Sequence, residues 1–284
     1  MRLVAIAVCL SSVLVAGPEL ERARKLYNQT DYDMSLRILL SIPQKDAAIH
    51  ALIGRNYYMQ GDYKRASEEL EKACNADPAN AEYALWMGRS LGRRAETSSF
   101  VTAPGYASRA REYFEKSVAL NPRDLDALND LFEYYLEAPG ILGGGLDKAR
   151  ATAARIARIN PGDGYLAEAR IAEHRKQYSA AEDQLRRAVE SAPHQVGRLI
   201  ALARFLTKQG RIQEADQSLA RAERIAPDSP RVMYARADIY IETGRNLGTA
   251  RDLLTRYLTS ELTPDDPPRA EAARLLRRVS ESGL

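Results

Sequence analysis

Residues 47–80 read AAIHALIGRNYYMQGDYKRASEELEKACNADPAN. Two stretches with helical periodicity face each other across a short turn at Gly61, and Pro78 closes the unit. Gly54 and Ala66, twelve residues apart, are small enough for two helix backbones to approach closely at this point. Other side chains fill the rest of the seam between the helices, namely Ile53, Tyr57, Leu70 and Ala73. The stretch therefore predicts a helix-turn-helix unit.

The spacing of small residues in this unit recurs along the chain. Equivalent pairs, twelve or thirteen residues apart, are Ala23 with Ser35, Ala169 with Ala181, Ala203 with Ala215, and Ala237 with Ala250. A period of 34 residues with small residues at the eighth and twentieth positions, an aromatic at the eleventh and proline at the thirty-second resembles the tetratricopeptide repeat (TPR). The resemblance implies an all-α, right-handed superhelical solenoid whose concave surface is lined by the first helix of each unit.

The register predicts about seven helix-turn-helix units and a capping helix. The expected TPR units span about 17–46, 47–80, 81–124, 125–161, 162–195, 196–229 and 230–264, and residues 265–284 form the cap and tail. Extra residues interrupt two units, near 95–106 and at 138–146, and both inserts contain Ala-Pro-Gly. Each insert falls between the first and second helix of its unit. We therefore expect the two inserts to emerge side by side on one edge of the solenoid.

The N-terminus has the pattern of a secretory signal peptide. Arg2 precedes an apolar stretch, residues 3–16, that is too short to span a bilayer comfortably, and we expect cleavage after Ala16. The alternatives are an uncleaved anchor, a plain apolar helix, or lipid attachment at Cys9. Removal of the signal leaves Cys74 as the only cysteine, so no intramolecular disulfide is possible. The expected location is periplasmic or secreted, with no integral membrane span after cleavage, or membrane-anchored if the signal is uncleaved.

Charge and motifs argue against nucleic-acid binding and catalysis. The 41 basic and 38 acidic residues give a net charge of +3, which provides no broad basic surface for nucleic acid. The three histidines, His50, His174 and His194, fall in different units and form no metal-ligand spacing. A Gly-x-Ser-x-Gly nucleophile motif is absent from the sequence. We therefore expect no catalytic residue, metal or cofactor, and the TPR resemblance also implies a non-enzymatic protein.

One position in each first helix is expected to face the concave groove. It directly follows the small eighth residue, and along the units it holds Arg24, Arg55, Arg89, Glu133, Arg170, Arg204 and Asp238. Arginines on parallel helices about 10 Å apart are spaced to meet carboxylates or carbonyls of an extended segment. Tyr27 and Tyr58 are expected to add aromatic contact area beside Arg24 and Arg55. The alternative is that arginine is here only a soluble helix former on an exposed face.

The fourth unit interrupts the arginines with an acidic stripe. Its members lie on one helix face, at Asp126, Asp130, Glu133 and Glu137. Like charges at this spacing repel, so the stripe needs compensation. Three alternatives are open: pairing with arginines of neighbouring repeats, a basic ligand segment, or a cation.

The preferred hypothesis is an exported, non-enzymatic adaptor that binds a protein or peptide segment in its concave groove, in the assembly of envelope or secreted complexes. A second is a structural component that docks in a larger complex through its insert edge. A third is an enzyme or small-ligand-binding protein with a site at the inserts. The resemblance does not extend to the Asn and Lys carboxylate clamp of chaperone-binding TPR proteins, because the concave positions here mostly hold Arg.

Overall fold

The structure, a computed structural model, describes residues 16–281 and is helical throughout that range, without strands. Seven helix pairs follow one another: α1 (Ala16–Asn28) and α2 (Tyr32–Ser41), α3 (Ala47–Met59) and α4 (Tyr63–Ala76), α5 (Ala81–Thr97) and α6 (Ala103–Leu120), α7 (Leu125–Glu137) and α8 (Leu146–Ile159), α9 (Pro161–His174) and α10 (Tyr178–Ser191), α11 (Val196–Lys208) and α12 (Ile212–Ile225), α13 (Pro230–Glu242) and α14 (Leu247–Thr259). A 3-10 helix, Gly140–Leu142, precedes α8, and α15 (Arg269–Glu281) ends the fold. The all-helical architecture predicted from the repeat is confirmed.

The N-terminal segment is described only from Ala16 onward. The predicted signal peptide, apart from that last residue, lies outside the described residues. Within the described range, no helix combines the length and the apolar character needed to cross a membrane.

Successive helices pack against each other in chain order, as in a solenoid. Each second helix contacts its partner in the pair and the first helix of the next unit, as α4 contacts both α3 and α5. First helices also contact the first helices of neighbouring units, for example α3 with α5 and α11 with α13. The first helices therefore form the inner layer, which is the concave side of the array.

The seam inside each unit depends on small residues, as the spacing predicted. Ala66 is fully buried, and a Cβ added at Gly54 would lie 2.6 Å from Leu70 Cγ and 3.0 Å from the Ala66 carbonyl oxygen. In the third unit a Cβ at Gly88 would lie 2.6 Å from the Phe114 ring. The two helices of a unit approach so closely that these two sites have no space for a side chain.

Several turns inside the units contain a residue with left-handed backbone conformation, and in the second unit a side-chain cap follows it. Gly61 ends α3 with φ +82°, and the Asp62 carboxylate then accepts a hydrogen bond of 3.0 Å from the Arg65 amide at the start of α4. Gly210 occupies the equivalent turn of the sixth unit with φ +73°. Lys176 holds the same conformation in the fifth unit, with φ +58°, although its Cβ makes it less favourable there.

The first insert lies mainly in helices, contrary to the expectation that residues 95–106 fill a turn. Helix α5 continues to Thr97 and α6 begins at Ala103, so only residues 98–102 form a loop. The two helices have 17 and 18 residues, against 13 and 14 for α3 and α4. The extra turns form because the residues before the loop are good helix formers and Pro104 suits the first turn of α6.

The second insert, residues 138–145, is a closely packed turn that rests on α6. A Cβ at Gly144 would lie 1.8 Å from the Ala138 carbonyl oxygen, so only glycine fits there. Arg111, in the middle of α6, donates a hydrogen bond of 3.1 Å to the Leu142 carbonyl. Because the first insert leads into the same helix, α6 holds both inserts on one edge of the array.

A buried arginine joins the fifth and sixth units. Arg198 is 4% exposed and donates to the Ala188 carbonyl at 3.0 Å and to Ser191 Oγ at 2.7 Å. Its other terminal nitrogen lies 3.4 Å from Asp163 Oδ1. A Cβ at Gly162 would lie 2.2 Å from the guanidinium, so the first turn of α9 is shaped around this side chain.

The final helix covers the end of the array. Helix α15 packs against α13 and α14, and its Ala272 is fully buried. Arg269 donates to the carbonyl oxygen of Ser260 at 2.6 Å, which joins the start of α15 to the end of α14. The seam of the seventh unit is therefore covered by a helix whose other face is polar.

Candidate functional site on the concave face

The predicted groove arginines lie on the first helices and pair with carboxylates. Arg55 Nη1 lies 2.6 Å from Glu82 Oε1 of the next unit, and Arg204 Nη2 lies 3.2 Å from Asp238 Oδ2 of the next unit. Arg24 differs, because it pairs with Glu21 inside α1 at 3.7 Å. The arginines of the inner layer are thus engaged with the protein itself.

The acidic stripe of α7 is compensated by arginines on both sides. Arg89 of α5 donates to Asp130 Oδ2 at 2.5 Å and lies 3.5 Å from Asp126. Arg170 of α9 binds both oxygens of Glu133, at 3.0 and 2.9 Å, and reaches Glu137 at 3.2 Å. Of the three alternatives left open by the sequence, the structure shows pairing between repeats. Contact of these arginines with a ligand remains a prediction.

The environment shifts the pKa values of Asp130 and Arg170. Burial raises the pKa of Asp130 above its usual range, and the neighbouring Arg89 opposes that rise. The hydrogen bond to Glu133 raises the pKa of Arg170 beyond its already high value. Arg170 therefore stays charged, and the attraction of Arg89 favours the ionised form of Asp130.

Aromatic rings lie between the arginines of the inner layer. The guanidinium carbons of Arg55 and Arg89 each lie 4.8 Å from the Trp86 ring centre, and Tyr58 meets Trp86 edge-on at 5.3 Å. Tyr27 is only 1% exposed beneath Arg55. The expectation that Tyr27 adds contact area in the groove is therefore wrong, because its ring belongs to the core.

A cavity opens between α5 and α7 on this face. Its volume is about 460 Å³. Its walls combine aromatic rings, small residues and charged groups: Tyr58, Phe114 and Tyr134; Gly92, Ala95, Ala107 and Ala138; Arg89, Arg93, Glu96, Asp130, Glu133 and Glu137. Four carboxylates face two guanidiniums, and Arg170 from outside the lining pairs with both Glu133 and Glu137, so one negative charge is in excess. A partly apolar cavity with a few charged groups has the character of a binding site for a side chain.

A second depression, of about 610 Å³, lies outside the groove. It is lined by the turn of the second unit and the end of α5, at Gln60, Gly61, Asp62, Tyr63, Lys64, Arg65, Arg94, Thr97 and Ser98. Its lining is more polar than that of the first cavity. The smaller cavity, which lies among the predicted groove residues, is the better candidate for recognition of a peptide.

The histidines take no part in this site. His50 Nδ1 lies 2.6 Å from Glu69 Oε2, across the pair α3 and α4. His174 and His194 belong to α9 and to the turn before α11. Among residues 16–281, no three potential ligands lie close enough together to hold a metal ion.

The sequence contained a signal for the pairing that the prediction did not use. Glu133 and Arg170 occupy equivalent positions of neighbouring units, and so do Arg204 and Asp238. Opposite charges at equivalent positions indicate contact across a repeat boundary. The place of Trp86 between Arg55 and Arg89, in contrast, depends on helix rotation, which the spacing of residues does not give.

Comparison with known proteins places the fold among TPR structures. Tetratricopeptide repeat family models match residues 47–80 and 172–239. A thermophilic TPR protein of Thermus thermophilus is similar in structure, with a TM-score of 0.55 and 20% identity over 66% of this chain and 97% of that one. No curated protein matches the chain significantly.

A second solved structure covers more of the chain. It is a tetratricopeptide repeat protein from Parabacteroides merdae, with a TM-score of 0.54 and 14% identity over 93% of this chain and 98% of that one. At such identities the likeness concerns the fold alone. The chain therefore carries tetratricopeptide repeats, and its described part has the fold of a TPR solenoid.

Proposed function

We propose that this protein is an exported, non-enzymatic adaptor that binds an extended segment of a partner protein in its concave groove. The observation that carries the proposal is the cavity between α5 and α7, because it opens on the face that TPR proteins use for binding. Tyr58, Phe114 and Tyr134 supply apolar contact area there. TPR proteins serve generally as scaffolds for protein interaction, which agrees with such a role.

The lining favours a basic side chain of the partner. Each guanidinium of the cavity already has a carboxylate partner, as Arg89 has Asp130, while Glu133 and Glu137 share the single guanidinium of Arg170. A lysine or arginine side chain would lay its methylene groups on the aromatic rings and direct its charge to the acidic stripe. An extended segment that carries such a residue is therefore the proposed ligand.

Gly92 provides a test that breaks no ion pair. It borders the cavity, and a Cβ added there would meet nothing within 4 Å. Phenylalanine at this position fills the space that a ligand side chain needs. The matched control is Gly248→Phe, since Gly248 also has open space but lies on α14, outside the groove.

Peptides selected on the wild-type chain from a display library of random short sequences are then measured by fluorescence anisotropy. We expect enrichment of basic residues among them and a loss of affinity of more than about tenfold in Gly92→Phe only. Equal binding by wild type, Gly92→Phe and Gly248→Phe, or failure to select any peptide, would place recognition elsewhere.

Export rests on the N-terminal sequence alone and needs its own experiment. The apolar segment 3–16, which follows Arg2, supports it. Fractionation of cells that express the full chain, followed by mass determination, should give an exported product that begins at Gly17. An uncut chain in the cytoplasmic fraction would contradict export and leave the groove proposal intact.

A further inference from the structure

The three most exposed large apolar side chains of the described residues lie in the two inserts. Phe100 and Val101 are 92% and 85% exposed at the tip of the first insert, and Ile141 is 93% exposed at the tip of the second. Side chains of this size contribute nothing to folding when they stand in water. Their concentration on one edge indicates a surface that contacts a membrane or another protein.

The same edge carries basic charge in the later units. We call it the insert edge, and it consists of the segments that join first to second helices, from the third unit on: 98–102, 138–145, 175–177, 209–211 and 243–246. The first two of these segments contain no charged residue. The other three segments contain Arg175, Lys176, Arg211 and Arg245 and no acidic residue. Arg211 pairs with Glu182 and Glu214, and Arg245 pairs with Asp216. Among the described residues, Arg175 and Lys176 therefore supply the basic charge that has no carboxylate partner.

The opposite edge has the reverse charge. It consists of the segments that join successive units and the one before α15: 42–46, 77–80, 121–124, 160, 192–195, 226–229 and 260–268. These segments contain seven acidic residues and only two basic ones, Lys45 and Arg123. From the third unit on, the array is therefore polarised across its width, with an apolar and basic edge on one side and an acidic edge on the other, whereas the turns of the first two units on the insert edge contain Asp31 and Asp62.

The two inserts are held so that they act together. Arg111 of α6 binds the second insert through the Leu142 carbonyl, and α6 itself starts at the end of the first insert. Arg111 lies eight residues into α6, about 12 Å along its axis, so one helix carries both apolar tips. Uncharged residues flank the tips in the sequence, and the charged groups beside the second insert, Arg111 and Lys148, are cationic.

We propose that the insert edge docks on an anionic lipid bilayer, with Phe100, Val101 and Ile141 in the interfacial region and the basic turns against the headgroups. Apolar side chains combined with nearby Lys and Arg are the two elements that bind peripheral proteins to anionic membranes. Isolated tips suit a fluid surface better than a preformed protein pocket, because they form no continuous patch. The docking is independent of ligand binding in the groove, which faces inward.

The test places an environment-sensitive fluorophore at the tip of the first insert. The full chain carries Cys9→Ser and Val101→Cys, and buried Cys74 stays unlabelled. The matched control carries the fluorophore at Leu120→Cys, which is exposed at the other end of α6. Because the reading is local, an N-terminal segment that enters the bilayer by itself does not imitate the result.

The vesicles contain phosphatidylcholine with or without phosphatidylglycerol. We expect a blue shift and increased emission from position 101 on anionic vesicles, weaker signals at high salt, and no change at position 120. Phe100→Ser with Ile141→Ser should lower the partition coefficient at least about tenfold, and Arg175→Gln or Lys176→Gln about fivefold each. Leu120→Ser should leave it unchanged.

Three results would overturn the proposal. The first is no response at position 101 on anionic vesicles, and the second is an equal response at position 120. The third is a response at position 101 that grows with protein concentration in the absence of vesicles, which would assign the edge to contact with a second copy of the chain.

Discussion

The second to fourth units and the fifth and sixth units follow the same repeat but pack with different side chains. Residues 47–161 contain twelve aromatic residues, whereas residues 162–229 contain three. The aromatic units carry both inserts and the groove cavity, while the fifth and sixth units, which are poor in aromatic residues, enclose the buried Arg198. The same spacing of small residues gives close packing in both regions, and the cavity lies where large rings are most frequent.

The difference has a steric origin. In the third unit Phe114 lies against Gly88, so one of the two facing residues must lack a side chain. In the sixth unit the equivalent residues are Ala203 and Leu219, which are both fully buried, so a side chain smaller than phenylalanine occupies the same place. The Phe114 ring also lines the cavity, beside Tyr134.

The largest effect is expected at the contact between the fifth and sixth units, where Arg198 is buried. Arg198→Ala should lower the free energy of unfolding by about 3 kcal/mol, because it leaves buried hydrogen-bonding groups without partners and opens a void. Arg204→Ala, at an exposed pair in the same helix, should cost less than about 1 kcal/mol. Urea denaturation followed by circular dichroism measures both. Equal costs would show that Arg198 acts only as a surface residue.

The next effect concerns the aromatic units and uses two glycines one turn apart in α5. Gly88→Ala places a methyl group against the Phe114 ring and should cost about 1 to 3 kcal/mol. Gly92→Ala meets open space and should stabilise the chain by up to about 1 kcal/mol through helix propensity. The same denaturation experiment applies. A stabilising Gly88→Ala would mean that Phe114 moves freely, and the packing difference between the regions would disappear.

A smaller effect distinguishes two ion pairs of the inner layer, one between the two regions and one at the end of the second region. A double-mutant cycle on Arg170 and Glu133 should give a coupling of about 0.5 to 1 kcal/mol, since the guanidinium holds both carboxylate oxygens. The cycle on Arg204 and Asp238, joined by one contact of 3.2 Å, should give less than about 0.5 kcal/mol. Both couplings should shrink in high salt. A larger coupling for the second pair would reverse the order.

The smallest effect tests whether the packed interior of the aromatic region, where Cys74 lies, is closed to solvent. Cys74 is buried, and desolvation raises the pKa of its thiol to about 11. The thiol therefore stays protonated through neutral pH, and alkylation of a Cys9→Ser chain at pH 8 should be slow until denaturant is added. Mass spectrometry follows the reaction. Rapid alkylation of the native chain would indicate frequent opening between the second and third units.

The sequence was sufficient to predict which helices pair, because the contact between the two helices of a unit depends on residue size. Small residues at Gly54 and Ala66 allow only one close arrangement of two helices, and the structure has it. The sequence also predicted that Arg55 lies on a first helix of the inner layer, and the structure has it there. Residue size and spacing alone thus determine which helices pair and which face each turns inward.

The remaining features depend on side-chain direction, which spacing does not give. Arginine at one position binds a ligand or a neighbour according to rotamer and helix rotation, and Tyr27 turned inward for the same reason. The first insert extended two helices because local propensity outweighed the expected length of a turn. The cavity needed the orientation of Phe114 and Tyr134, which no linear pattern encodes.

The ion pairs along the inner layer give the array a mechanical property. Four of them cross boundaries between adjoining units: Arg55 with Glu82, Arg89 with Asp130, Glu133 with Arg170, and Arg204 with Asp238. In a repeat array each unit touches only its neighbours, so the compliances of successive junctions add along the chain. Added salt weakens all four links together. We therefore expect the array to become more compliant as the ionic strength rises, with the smallest change at the partly buried pair of Arg89 and Asp130.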